Sequence, residues 1–334
     1  MIHPARLSNR AYSIAFVPLI LIGAIDTMKL CRFEDDDQPA TGFFLDEQVI
    51  PLSAAAQAAG ETLEATDELL SFLPHGSQHE AVQKMDAWLA GNESAAASLA
   101  IKDASILTPI PKPNKLLLLA GNYAKHIEEG GENAVERSQT YPYVFMKPAS
   151  TTLNHHGGDI PIPSVSPDNI DWECELGVVM GKRAKGVSEA EALDYVAGYT
   201  VVNDISDRGF RPNPNRKERD RDKFFDWQHG KWHDGSCPVG PCIATPATIS
   251  DPQNLPLKLT VNGEVHQDAS TALQIFPVAA VIEFISSFVT LEPGDIISTG
   301  TAAGVGHAKG VHLKAGDQVE ASIEGIGALK NTVV

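Results

Sequence analysis

Residues 170–182 read IDWECELGVVMGK. From Leu176 to Met180 the run suits a strand buried inside a sheet, and alternate side chains of a strand project to one face. Glu173 and Glu175 therefore point the same way at the head of a buried strand. Two carboxylates so placed repel each other, and a hard divalent cation with oxygen ligands relieves that repulsion. A third carboxylate, Asp204, closes another apolar strand, YTVVN at 199–203. Three carboxylates plus water suit the near-octahedral shell of Mg²⁺ or Mn²⁺ and leave positions open for a substrate. On spacing alone, the E-x-E pattern also fits the solvated side of an edge strand.

Working outward, the chain is β-rich. Short strands separated by Gly, Pro, Asn and Asp are expected at 116–120, 143–147, 175–181, 199–203, 257–261 and 296–299, with Asn262-Gly263 as a type I′ hairpin turn. Helices are expected at 188–196, with Ser188 as N-cap, and at 277–287. Residues 108–114, TPIPKPN, carry three prolines and read as a linker. Ahead of it, residues 28–107 read as a small α+β unit: strands at 29–33 and 42–52, then two or three helices, the longest near 80–89. The charge run RKERDRDKFFD at 216–226 reads as a solvated loop. At the start, Arg6 and Arg10 precede the apolar run IAFVPLILIGAI at 14–25, too short to span a bilayer as a helix. Residues 1–27 fit either a signal-like segment or an extension ahead of a true start at Met28.

Composition narrows the function classes. With 26 Lys and Arg against 43 Asp and Glu, the 334-residue chain carries −17, which repels phosphate backbones and anionic lipid headgroups. Nucleic acid and membrane surfaces are excluded as partners on this ground. A small anionic substrate needs a bound cation or a local Lys/Arg cluster to receive it. Four irregularly spaced cysteines make no disulfide framework, and a reducing, cytoplasmic setting fits.

Two further segments offer chemistry. GNYAKHIEE at 121–129 follows an apolar strand and reads as the start of a helix, setting His126 and Glu129 one turn apart. The carboxylate can then orient the imidazole as a base that activates water, although an exposed helix pair has the same spacing. The Gly-rich TGTAAGVG at 299–306 could bind an anion through backbone N–H groups, but it lacks the lysine and helix of a P-loop. No G-x-S-x-G or H-E-x-x-H occurs, which argues against a serine hydrolase or zinc peptidase.

From about Leu116 to the C-terminus the chain resembles the fumarylacetoacetate hydrolase family. The resemblance is carried, in order, by AGNYAKHIEE, YPYVFMKP, IDWECELGVVMGK, GYTVVNDISDR, GKWHDGSCPVGP, LTVNGEVHQDAST, TLEPGDIISTGTAAGVG and GALKN. It implies an α+β, β-rich fold: the family's mixed β-sandwich roll over 115–334, preceded by the small α+β unit and built as a homodimer. It also implies Glu173, Glu175 and Asp204 as Mg²⁺ or Mn²⁺ ligands, and His126 with Glu129 as the water-activating pair. Lys231 becomes a cation beside the reacting carbonyl, Arg208 faces substrate oxygens, and Thr301 meets the substrate carboxylate. Tyr123 and Lys147, which the residues alone leave as core or surface, complete the candidate substrate contacts.

The implied reaction is metal-dependent hydrolysis of a C–C bond in a β-diketo acid, such as an acylpyruvate or a fumarylpyruvate-like acid, through a metal-bound enolate. Decarboxylation, tautomerisation or isomerisation of an oxo-diacid on the same site is the alternative, and a non-catalytic metal- or ligand-binding protein is a third reading. Three departures from the family pattern stand out. The segment 209–228 is long and charged, Ala302 replaces a proline, and Asn122 stands where some members have a fourth acidic ligand.

Overall fold

The computed structural model describes residues 28–45 and 47–334, so the readings made on residues 1–27 lie outside the described residues. Its centre is a mixed 12-stranded sheet. The strands Cys174–Met180, Val196–Asn203 and Cys237–Ala244 lie side by side in it, and every residue in them is buried. A strand covered on both faces reads as a near-continuous apolar run. A second, 5-stranded sheet faces one side of the first. Cys174, Leu176, Val178 and Met180 pack there with Leu257, Leu259, Val319 and Ala321. Val179, Val202 and Ile243 point to the other side, into a cluster with Leu69, Phe72, Val82 and Met85. Glu173 and Glu175 share the parity of Val179, so the period-2 reading of the opening segment holds.

The N-terminal strands Lys29–Asp35, Gln38–Leu45 and Gln48–Pro51 continue the large sheet, with Lys29 paired to Ala244 and Leu30 to Ile243. The single strand expected at 42–52 is two, separated at a turn where Glu47 takes φ +71°. The helix expected near 80–89 spans His79–Gly91. Leu116–Ala120 and Val278–Phe288 also form as expected. The hairpin turn is of the expected kind, with Asn262 and Gly263 at φ 52° and 81° between paired Val261 and Glu264.

Two expectations fail. Only a 3₁₀ turn, Ala192–Tyr195, forms where an α-helix was expected at 188–196, and the Ser188 hydroxyl, expected as the N-cap, donates to the Glu191 carboxylate at 2.6 Å. Nor is 216–226 all loop: Asp222–His229 is a helix, and the buried Asp222 carboxylate anchors it by accepting from Arg216 at 3.1 Å and Arg219 at 3.0 Å. Among the described residues no helix is long and apolar enough to cross a membrane.

Candidate active site

Register brings the acids together. Cys174 pairs with Asn203 and Glu175 with Val202. Just past the end of that strand, the Asp204 N–H donates to the Glu173 carbonyl at 2.9 Å. One carboxylate oxygen each of Glu173, Glu175 and Asp204 then lies within 4.8 Å of the others, and all three residues are buried.

Three cations surround this cluster. Lys231 Nζ donates at 2.7 Å to both Glu173 Oε2 and Asp204 Oδ2. Lys147 Nζ donates to Asp204 Oδ1 at 2.7 Å, and Arg208 reaches Glu173 while its Nε donates to Asp171 Oδ2 at 2.9 Å. Burial opposes ionisation of Glu173, but Lys231 and Arg208 outweigh it and hold that carboxyl well below the usual range. Glu175 goes the other way: burial, then Asp204 and Glu173, push it well up. Four carboxylates, counting Asp171, thus meet three cationic side chains, and the unbalanced charge falls at Glu175. An all-oxygen donor set one positive charge short of balance fits a hard divalent cation. With the cation bound, the cluster would carry a net positive charge and attract an anion.

On the cavity that Glu173 also lines, the short helix Ala124–Glu129 sets His126 Nδ1 2.8 Å from Glu129 Oε1. The other Glu129 oxygen accepts the Gly304 N–H at 2.9 Å, so the partner of the imidazole is held by backbone. Burial raises the Glu129 carboxyl, but the His126 bond and the Gly304 N–H override it and hold the group below its ordinary value. A lowered carboxylate stabilises the fold above its unfolded pKa, and that stability disappears as pH falls through the folded value. The Tm gap between the wild type and Glu129→Gln should therefore narrow on acidification below about pH 5. Thermal unfolding across pH measures it, and a gap that widens in acid would contradict the assignment. His126, Glu129, Glu173, Arg208, Lys231 and Thr301 all line one cavity of about 1300 Å³.

The profile described as fumarylacetoacetate (FAA) hydrolase C-terminal matches residues 115–334. The chain belongs to the fumarylacetoacetate hydrolase family. A mitochondrial oxaloacetate tautomerase of Xenopus laevis is 35% identical to this family member over 92% of the chain and 91% of its own length. A 2,4-didehydro-3-deoxy-L-rhamnonate hydrolase of a Sphingomonas strain is 41% identical over 67% of the chain and 75% of its own length. Among solved structures, a maleylpyruvate hydrolase from Sphingobium sp. SYK-6 in complex with manganese(II) and pyruvate is 26% identical at a TM-score of 0.67, covering 92% of this chain and 99% of that one. The expected α+β, sheet-rich fold is the fold of this family. The family is enzymatic, and its members here include hydrolases, an isomerase and a tautomerase.

Not every residue expected to touch substrate reaches the cavity of this hydrolase-family chain. Tyr123 is buried behind it at 2% exposure, and Lys147, also at 2%, spends its ammonium on Asp204 and on the Ile205 and Ser236 carbonyls. Both are corrected to supporting positions. Thr301 lines the cavity, but its hydroxyl donates to the Cys174 carbonyl at 3.1 Å and accepts from Gln267 at 2.8 Å, so it is not free for a substrate carboxylate.

The Gly-rich loop does bind anions through its backbone, but they are the protein's own. Gly300 N–H donates to Glu175, Gly304 N–H to Glu129, and Gly306 N–H to Asp171 at 2.6 Å. Asn122 is structural: its amide group donates to the Phe276 and Thr299 carbonyls and accepts the Phe276 N–H.

Two functional features escaped the sequence reading. Asp171 anchors Arg208 and also takes the N–H groups of Trp172, Gly306 and His307. Its signal was its position two residues before Glu173. Phe224 and Trp227, from the helix at the end of the charge run, line the cavity. The cluster FFDW within a charged stretch was the available signal.

Proposed function

We propose that this chain is a divalent-cation-dependent hydrolase that breaks the C–C bond between the two carbonyl groups of a 2,4-dioxo acid. The observation that carries the reading is the His126–Glu129 pair lining the same cavity as Glu173, Lys231 and Arg208. A divalent cation held by Glu173, Glu175 and Asp204 would supply Lewis-acid polarisation of the 2-oxo end and offset negative charge developing there. Arg208, steered by Asp171, faces the carboxylate end. Glu129 accepts from His126 Nδ1, which leaves Nε2 to take a proton from water. That water adds to the distal carbonyl carbon, and the C–C bond to the carbon between the carbonyls breaks. The bond's electron pair passes to the 2-oxo acid fragment as its enolate, which His126 reprotonates at carbon. Lys231 spends two of its three N–H donors on Glu173 and Asp204 and keeps one for the oxyanion.

A second reading, keto–enol tautomerisation of an oxo-diacid, is favoured by the identity to the oxaloacetate tautomerase along nearly the whole chain. In it His126 moves a proton between carbon and oxygen and no water is consumed. Product analysis on acylpyruvates and on oxaloacetate, with and without chelator, separates the two. Under the first reading acylpyruvates yield two acids, EDTA abolishes turnover, and Mg²⁺ or Mn²⁺ restores it. Intact acylpyruvate beside an accelerated oxaloacetate tautomer exchange would establish the second instead.

A further inference from the structure

We infer that the substrate of this site carries an uncharged apolar group, an acyl chain or an aryl ring, beyond its distal carbonyl. This rests on the 2,4-dioxo acid reading and adds the class of the distal group. A chain of rings leads outward from the catalytic lysine. Lys231 Nζ lies 5.5 Å from the centroid of Phe145, Phe145 meets Trp227 at 4.9 Å, and Trp227 meets Phe224 at 5.9 Å. A second set lines the same cavity: Tyr141 stacks on Phe284 at 5.9 Å, and Phe284 meets Phe288 at 5.2 Å. Phe224, Tyr141 and Phe288 are 54%, 61% and 61% exposed, so these rings have apolar surface left to cover.

Size and charge point the same way. The cavity of about 1300 Å³ exceeds the roughly 300–1,000 Å³ that holds a drug-sized ligand, far more than a compact dioxo acid fills. Among the described residues of its wall, the lysine and arginine side chains are Lys231 and Arg208, and both are bonded to Glu173. Beyond Lys231 and Arg208 a second carboxylate on the substrate would meet the rings, Glu132, and the neutral polar groups of Asn133, Thr140 and Gln228, with His307 at the rim but no further lysine or arginine, and a carboxylate without a cationic partner is costly to cover. An apolar group instead gains about fourfold in affinity for each methylene covered.

The test uses the full chain with Mg²⁺ and two series. One is cleavable: acetylpyruvate, longer acylpyruvates, benzoylpyruvate and fumarylpyruvate, read as kcat/KM. The other is uncleavable: pyruvate, straight-chain 2-oxo acids up to eight carbons and phenylpyruvate, read as calorimetric Kd. Both are expected to improve by roughly fourfold per methylene, with benzoylpyruvate preferred to fumarylpyruvate. Phe224→Ser and Phe288→Ser should flatten the gradient in both series, lowering kcat/KM for benzoylpyruvate by more than for acetylpyruvate. Preference for fumarylpyruvate, or a flat response in both series, overturns the inference. So does an unflattened gradient in variants that change only the sedimentation behaviour, which would make the rings a contact between copies. A tail-length gradient in binding without cleavage of any dioxo acid preserves the inference and sinks the hydrolase reading, whereas no binding of any 2-oxo acid sinks both.

Discussion

Lys231→Met is expected to lower kcat by a factor of about 10²–10³, the usual loss when one oxyanion donor is removed. The same substitution strips a 2.7 Å partner from both Glu173 and Asp204 inside the protein. Removing one side of a buried ion pair costs on the order of 3–5 kcal/mol, because charge is left behind without compensation. The variant should therefore melt well below the wild type. Its cluster, now more negative, should also take up Mg²⁺ more tightly, so added Mg²⁺ should raise the variant's Tm by more than it raises the wild type's. Kinetics and thermal shifts on one preparation check all three effects. A kcat within tenfold of wild type would remove Lys231 from the chemistry, and an equal Mg²⁺ response in both proteins would separate it from the acidic cluster.

His126→Asn comes second, with cleavage slowed by about 10²–10⁴, the range a positioned general base contributes. Its ring bonds to Glu129 and not to the acids of the cluster, so KM and the midpoint of Mg²⁺ activation should stay near wild type. The informative readout is exchange of the hydrogens between the two carbonyls with deuterated solvent. If His126 serves water alone, exchange continues while cleavage stops. If exchange stops too, His126 also handles the carbon-bound proton, as reprotonation of the enolate in the hydrolase reading and proton transfer in the tautomerase reading both require. Unchanged cleavage would mean that the imidazole is not the base.

How much of this could be read from the chain depends on the range of the interaction that decides each position. The strand period is local, so the shared face of Glu173 and Glu175 was legible, as were Leu116–Ala120 and the Asn262-Gly263 turn. Asp204 could be nominated from its strand end, but its meeting with Glu173 is set by antiparallel register, a long-range property. Lys147 shows the limit: the residues alone leave it as core or surface, and only the folded sheet reveals an acid and two carbonyls waiting for its ammonium. The charge run at 216–226 misled for a related reason. Arg216 and Arg219 spend their charge on Asp222, and that neutralisation lets a helix sit against the cavity where composition suggested a solvated loop.

The stretch from Gly300 to Gly306 holds three acids at once: one in the cluster, one behind the imidazole and one behind the guanidinium. A one-residue insertion there would throw base, ion cradle and anchor out of alignment together, so drift in that segment is punished three ways. The helix Asp222–His229 carries none of these ties. Paralogues that turn over different acids are thus expected to differ at its Phe224 and Trp227 while keeping the glycine spacing fixed, a division between frozen chemistry and adjustable appetite.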